Sequence, residues 1–514
     1  MAAPTNHGFR EPIAYWLAIL AHLWPVWTNP WFVTLDGPCH VYNSRMVLAL
    51  LQGGGIAQEF LQFNHFPEPN WLGHVVMALA MTVTSANIAE KVIFTLIIGG
   101  MGWAFRELAR TLAPDRVWLS WLIMPFLLTY TLRIGFINFS LGLPLLLIAL
   151  GRFERFLKGE ERNAIWQMGL LLLALYFAHI TAFMASLAIL GMRSVVLLVQ
   201  HDRSSIFRSL RLLSLATVLP FMLTVAFLMG HSTVSNAGTS IPLGELLGWV
   251  RDGSAWITLT REEIIYTRPI AAGLLVITCF GLSRLRWPII SDRSPSWAFA
   301  LASLSMLAAF LFLPDKMASG GVLSPRLLLF AMLLFAVFAL TTSIPRWLAM
   351  GGTMLIAGAD LAHLPQQAAT AEVLSNEAQE ILSVADQLDE RSVLLPLNYG
   401  DNWMHSNFSE YVGAVSGCIV LDNIGAASPH FPLIWRPERS PHPVLGSFSL
   451  SNRPCTTFDA YRDHGHTWVT HVLTWKMNDA ITDSCTNDVR RQLVTDFDLV
   501  ASSPNNDARL YRRK

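Results

Sequence analysis

Asp36 and His40 are the first residues in this chain whose types and spacing could do chemistry. They sit in Thr34-Leu35-Asp36-Gly37-Pro38-Cys39-His40, directly after an apolar stretch that ends in Trp31-Phe32-Val33. A carboxylate can take the proton of an attacking hydroxyl. An imidazole one helical turn on shares its face and can bind substrate or orient the carboxylate. At the edge of an apolar stretch a carboxylate is partly desolvated, which raises its basicity. The competing role for Asp36 is structural, because Asp-Gly-Pro is a good helix N-cap with an early Pro. For His40 the competing role is a place at an interface.

His65, Glu68 and His74 follow. With Asp36 and His40 they have the residue types of a mixed His–carboxylate metal site. Their spacing matches no defined motif, so no metal ligand is assigned and a divalent metal stays an option. Otherwise they bind loops or donor hydroxyls. Arg326 opens a late apolar run in Leu323-Ser324-Pro325-Arg326-Leu327, and Lys316 precedes it in the stretch 314–325. Both suit an anionic phosphate, Arg by bidentate contact, and both also suit snorkelling to an interface. Arg133, Asn138 and His179 are polar groups inside apolar blocks, which marks them as functional candidates. For His179 a helix–helix hydrogen bond is the alternative.

Other motifs carry less. Asp463-His464-Gly465-His466 reads as a surface turn rather than a metal site. The aromatic segments 398–403 and 429–432 either face outer loops and stack on sugar or pack in a core. No phosphate-binding Gly loop, nucleophile elbow or paired-Cys metal motif is present, so a nucleotide-sugar donor has no recognisable site.

The elements that must position these residues are mostly membrane helices. Charged residues make up 14% of the chain and hydrophobic ones 53%, with mean hydropathy +0.42. Soluble domains carry about 25% charged residues. Eleven apolar stretches run at about 12–33, 71–85, 88–109, 117–132, 136–151, 165–199, 211–230, 268–283, 296–313, 326–343 and 346–362. Several are shorter than the ~20 residues of a straight crossing, which predicts broken helices. The first is too long for a signal-peptide core and no cleavage site follows, so it reads as an uncleaved helix. Between it and the next lies the loop 34–70, with an amphipathic helix over 41–51 ended by Gly53-Gly54-Gly55.

Net charge is zero, which excludes a nucleic-acid footprint. Residues 366–514 hold 12 Lys and Arg against 18 Asp and Glu, a net of −6, and the rest carries +6. Basic loops and an acidic tail predict cytosolic loops with the Asp36 loop and the tail outside. That map makes 71–109 one net crossing and breaks 165–199 into two short crossings near His179.

The fold class expected is therefore a polytopic α-helical membrane domain over 1–365, with about eleven transmembrane helices, and an α/β domain over 366–514. In the tail, 371–390 is helical, 393–397, 418–421 and 468–474 are strands, and 497–512 is a terminal hairpin. Cys455 and Cys485 are the favoured disulfide pair, with free thiols as the alternative.

This arrangement resembles the GT-C glycosyltransferases, which include protein O-mannosyltransferases and aminoarabinose transferases. The resemblance rests on Asp36 in a long outer loop after the first helix, interfacial helices, many short apolar segments and a C-terminal α/β domain. Members often carry two adjacent acidic residues where this chain has Asp36-Gly37. The resemblance implies an inverting glycosyltransferase that moves a sugar from a polyprenyl-phosphate carrier to a glycan, lipid or protein acceptor. Asp36 would be its general base or would orient the acceptor. It further implies a bacterial inner membrane setting, with the tail periplasmic, and membrane lipids as partners. A transporter or lipid flippase is the alternative, and a non-catalytic assembly subunit a third. Transporters usually show internal repeats, and none is visible here.

Overall fold

The computed structural model describes residues 10–65, 68–160, 163–230, 238, 240–291, 294–316, 321–428, 430–441 and 469–514. Each of the eleven apolar stretches carries helix. Among the described residues, five helices are long and apolar enough to cross a membrane: Ala86–Leu112, Ile137–Leu157, Ile180–Val199, Arg261–Ser283 and Leu323–Thr341. Arg203–Ala216 and Val218–Gly230 make a sixth if their 53° bend lies within one crossing. Leu72–Met81, Ala164–Ala178 and Ser296–Phe312 are apolar but shorter. The chain is a multi-pass membrane protein.

The described residues form two compact units. The first takes Met1–Trp24, Thr95–Arg133 and Asn138–Ala368. Its core is the helix Leu323–Thr341, in which every residue from 328 to 340 is at most 2% exposed. A helix apolar on all sides is stable in such a place because its neighbours cover each face. Outward-facing residues elsewhere in the unit, such as Leu17, Met222, Val276 and Met354, are apolar and exposed, as lipid contact requires. Several charged groups inside the unit are paired. Arg106 meets Glu11 at 2.7 Å, Arg193 meets Glu154 at 2.8 Å, and His22 meets Asp360 at 2.8 Å. Leaving any of these charges buried alone would cost several kcal/mol.

The expected break in 165–199 falls at His179, between Ala164–Ala178 and Ile180–Val199. His179 has extended backbone, and its Nδ1 accepts from the N–H (3.1 Å) and hydroxyl (2.8 Å) of Thr181. The imidazole thus caps the second helix, work that Ser or Asp usually does.

The second unit takes Pro25–Phe94, Ile134–Ile137 and Ala369–Lys514. It holds two sheets. Strands β1 (Leu61–Phe63) and β4 (Leu433–Trp435) pair antiparallel. Strands β2 (Val393–Asn398), β3 (Ile419–Val420), β5 (His471–Trp475), β6 (Phe497–Ser502) and β7 (Ala508–Arg513) form a sheet in the order β3-β2-β5-β7-β6. β2 runs parallel to β3 and β5, while β7 is antiparallel to β5 and β6. The strands β2, β3 and β5 are buried on both faces, which is why they read as unbroken apolar runs. The terminal hairpin turns at Asn506, whose φ of +58° Asn tolerates. Cys485 is disulfide-bonded, and Cys39, Cys279 and Cys418 are free. Cys455 and the 463–466 motif lie outside the described residues.

Candidate functional site

Asp36 stands at the N-cap position of the helix Gly37–Leu51, yet its side chain makes no capping hydrogen bond. Thr34 does that work: the Gly37 N–H donates to Thr34 Oγ1 at 3.0 Å. The Asp36 N–H donates to the Ile134 carbonyl at 3.2 Å. Two glycines allow this approach. Gly135 has φ +86°, and a Cβ there would lie 2.6 Å from the backbone nitrogens of both Asp36 and Gly37. A Cβ on Gly37 would collide with Thr34 Oγ1.

The helix begun at Gly37 starts four residues before the amphipathic stretch expected over 41–51 and ends with it at Leu51. Asp36, Cys39 and Asn43 follow one another along one face of this turn. Opposite stands the helix Phe408–Ser416 and the turn after β3. Asn407 donates its Nδ2 to the Leu35 carbonyl (2.8 Å) and to Asp36 Oδ1 (3.3 Å). Asn43 and Asn423 exchange amide hydrogen bonds at 2.9 and 3.1 Å. The Tyr42 hydroxyl donates to the Cys418 carbonyl and accepts from the Val420 N–H, tying the helix to the end of β3.

Two further carboxyl groups lie in this cluster, Glu410 and Asp422. Glu410 is fully buried beside the Cys39 thiol. Asp422 Oδ2 accepts from the Ser409 hydroxyl at 2.8 Å. Burial, then the Asp422 and Asp36 charges, pushes Glu410 well above the usual carboxylate range. Burial of its carboxyl pushes Asp422 up as well. Burial likewise keeps Cys39 a thiol. Nothing in Asn407-Phe408-Ser409-Glu410 marks these residues as partners of Asp36. Their only signal is two acidic residues in otherwise apolar, buried segments.

His40, one turn beyond Asp36, is buried, and its Nδ1 lies 3.0 Å from His74 Nε2. His74 Nδ1 is 2.8 Å from the Asn70 carbonyl, which can only accept. His74 therefore donates from Nδ1 and accepts at Nε2, and His40 donates to it from Nδ1. The lone pair of His40 is then on Nε2. Burial, and next His74, hold the His40 imidazole well below its ordinary pKa, so it is neutral. Phe431 stacks on His40 at 5.5 Å. The 430–432 segment does face the 34–70 loop: Asn64 and Asn70 bind the carbonyls of Phe431 and His430. Glu68 is buried, with His430 Nδ1 4.0 Å away, while His65 is exposed. The 398–403 segment instead builds a turn around His405.

In the first unit Arg326 places its guanidinium over the Phe139 ring at 5.6 Å and donates to the Gly321 carbonyl. His179 meets the same ring edge-on, 5.5 Å away, and Asn138 is the buried neighbour of Phe139 in sequence. Two expected residues, Arg326 and His179, thus meet at one phenyl ring. Lys316 is exposed. Arg133 is bidentate to the buried Glu263 at 2.7 Å, and His363 lies 3.3 Å from the same carboxylate. Among the described residues no three His, Cys, Asp or Glu are arranged to hold a metal ion.

No protein-family model matches the chain, and no curated protein does. Among solved structures it is similar to ArnT from Cupriavidus metallidurans bound to undecaprenyl phosphate, with TM-score 0.57 and 12% identity over 97% of each chain. The same protein in the apo state matches at TM-score 0.55 with the same identity and coverage. The fold is thus the GT-C fold that the sequence resembles.

Proposed function

We propose that this protein is a membrane glycosyltransferase that moves a sugar from a polyprenyl-phosphate carrier to an acceptor outside the cytoplasm. The observation that carries this reading is the state of Asp36. Thr34 supplies the helix cap, so the Asp36 carboxylate is held in place by Asn407 without being consumed by the helix end. The shared fold supports the donor class, because the similar ArnT binds undecaprenyl phosphate.

In the reaction, the acceptor O–H bond breaks and its proton goes to Asp36. The acceptor oxygen attacks the anomeric carbon from the face opposite the phosphate, inverting it. The carbon–oxygen bond to phosphate breaks and its electron pair leaves on the phosphate. In the first unit Arg326, Asn138 and His179 are the candidate ligands for a phosphate anion, Arg326 by a charge-assisted contact. Neutral His40 offers its Nε2 lone pair to a sugar hydroxyl, oriented through His74. The Asp36 loop and the α/β tail lie on the periplasmic side of the inner membrane.

The test is Asp36→Asn. Asn keeps size and shape but cannot take the proton. Release of undecaprenyl phosphate from the undecaprenyl-phosphate-sugar fraction of host membranes should fall by roughly a hundredfold or more. Binding of undecaprenyl phosphate itself should persist. Full turnover in Asp36→Asn would end the assignment.

A further inference from the structure

Glu410 and Asp422 are carboxyl groups that the reaction as written does not use. Each has an oxygen without a purpose in the fold. Glu410 Oε1 accepts from the Ile424 N–H at 3.4 Å, but Oε2 is buried with no hydrogen-bond partner. Asp422 gives Oδ2 to Ser409, but Oδ1 is likewise buried and without a partner. Among the described residues neither forms an ion pair. Two carboxyl groups that share a buried site cannot both ionise, since each charge raises the cost of the other. A proton on the pair turns one orphaned acceptor into a donor and leaves one negative charge.

That charge has a neighbour. The titratable groups facing Glu410 are Asp36, Cys39 and Tyr42 from the Gly37–Leu51 helix and Asp422 from the turn after β3. Burial keeps Cys39 and Tyr42 neutral. Asp36 is therefore the group left to feel the pair. A like charge nearby makes a carboxylate hold a proton more tightly, and in a buried site the effect is poorly screened.

We propose that Glu410 and Asp422 are positioning residues for the base: they hold one proton between them, and the remaining negative charge strengthens the proton affinity of Asp36. The proposal rests on Asp36 as the base. The pair exchanges no proton with substrate. It sets how readily Asp36 takes one.

The experiment reads the carboxyl groups directly, by infrared difference spectroscopy on the full-length protein in detergent. The spectrum of the wild type minus Glu410→Gln/Asp422→Asn at pH 6 should contain a protonated-carboxyl band. The titration midpoint of Asp36 is read by subtracting Asp36→Asn in each background. It should fall by about one pH unit in the double variant. No protonated band, or an unmoved midpoint, overturns the proposal. Should the double variant fail to fold, Ser409→Ala removes the hydrogen bond that favours ionised Asp422, and the Asp36 midpoint should again fall. None of these readouts needs turnover. A protein that passes them yet transfers sugar normally as Asp36→Asn would refute the base, not the shared proton.

Discussion

Thr34 caps the helix that Asp36 introduces: its Oγ1 takes the Gly37 N–H at 3.0 Å, while Asp36, at the N-cap position, makes no capping hydrogen bond with its side chain. The two residues divide roles that the sequence offered to Asp36 alone. Thr34→Ala should therefore lower stability by about 1 kcal/mol and leave transfer within a few-fold of wild type. Asp36→Asn should do the opposite. Melting temperature and turnover on the same preparations separate them, and a reversed pattern would return Asp36 to a capping role.

Gly135→Ala tests the close approach of the 134–137 segment. The residue has φ +86°, and its Cβ would stand 2.6 Å from the nitrogens of Asp36 and Gly37. The strain and collision should cost about 1–3 kcal/mol and displace the Asp36 turn. A lower melting temperature with reduced transfer is expected; a variant indistinguishable from wild type would show that the turn yields freely.

Arg326→Gln should weaken binding of undecaprenyl phosphate about tenfold or more, since a charge-assisted contact to phosphate is worth ~1.5–3 kcal/mol. The protein's thermal stabilisation by added undecaprenyl phosphate measures this. Lys316→Gln, at an exposed position, gives the comparison. Equal loss in both would point to general surface charge.

Acid should act on the second unit through Glu377. Burial by itself would raise its pKa, but hydrogen bonds and charge from His405 (2.7 Å) and Lys476 (2.9 Å) outweigh it and hold the group at about 2. The folded value lies below the ordinary 4.5, so the stabilisation is fully present above pH 4.5 and is lost as pH falls toward 2. Glu377→Gln should melt lower than wild type at pH 7, and the gap should narrow between pH 4.5 and 2. A constant gap would assign the loss to packing.

Topology is open to labelling. Gln58 and Ser502 are exposed, so cysteines there in a Cys279→Ser background should both react with an impermeant maleimide in intact cells. Protection of one and labelling of the other would put the loop and the tail on different faces.

The helices, the short strands and the terminal hairpin were legible in the sequence because each follows from local pattern. Apolar runs gave the helices and strands, and Ser-Pro-Asn-Asn-Asp gave the turn. The break at His179 was legible too, as a lone imidazole in a run too long for one crossing. Asp36 and His40 announced themselves by lying next to an apolar end. Tertiary structure alone decided what surrounds them. The cap at Thr34 depends on a backbone angle, and the approach of Gly135 on a left-handed residue about a hundred positions away in the chain. Glu410, Asp422 and Asn407 come to Asp36 because Asn43, Tyr42 and the end of β3 lock two distant helices together. No periodicity encodes that pairing. A buried carboxyl looks like any other acidic residue until its neighbours are known, because its charge is set by burial and by the groups around it rather than by its own type.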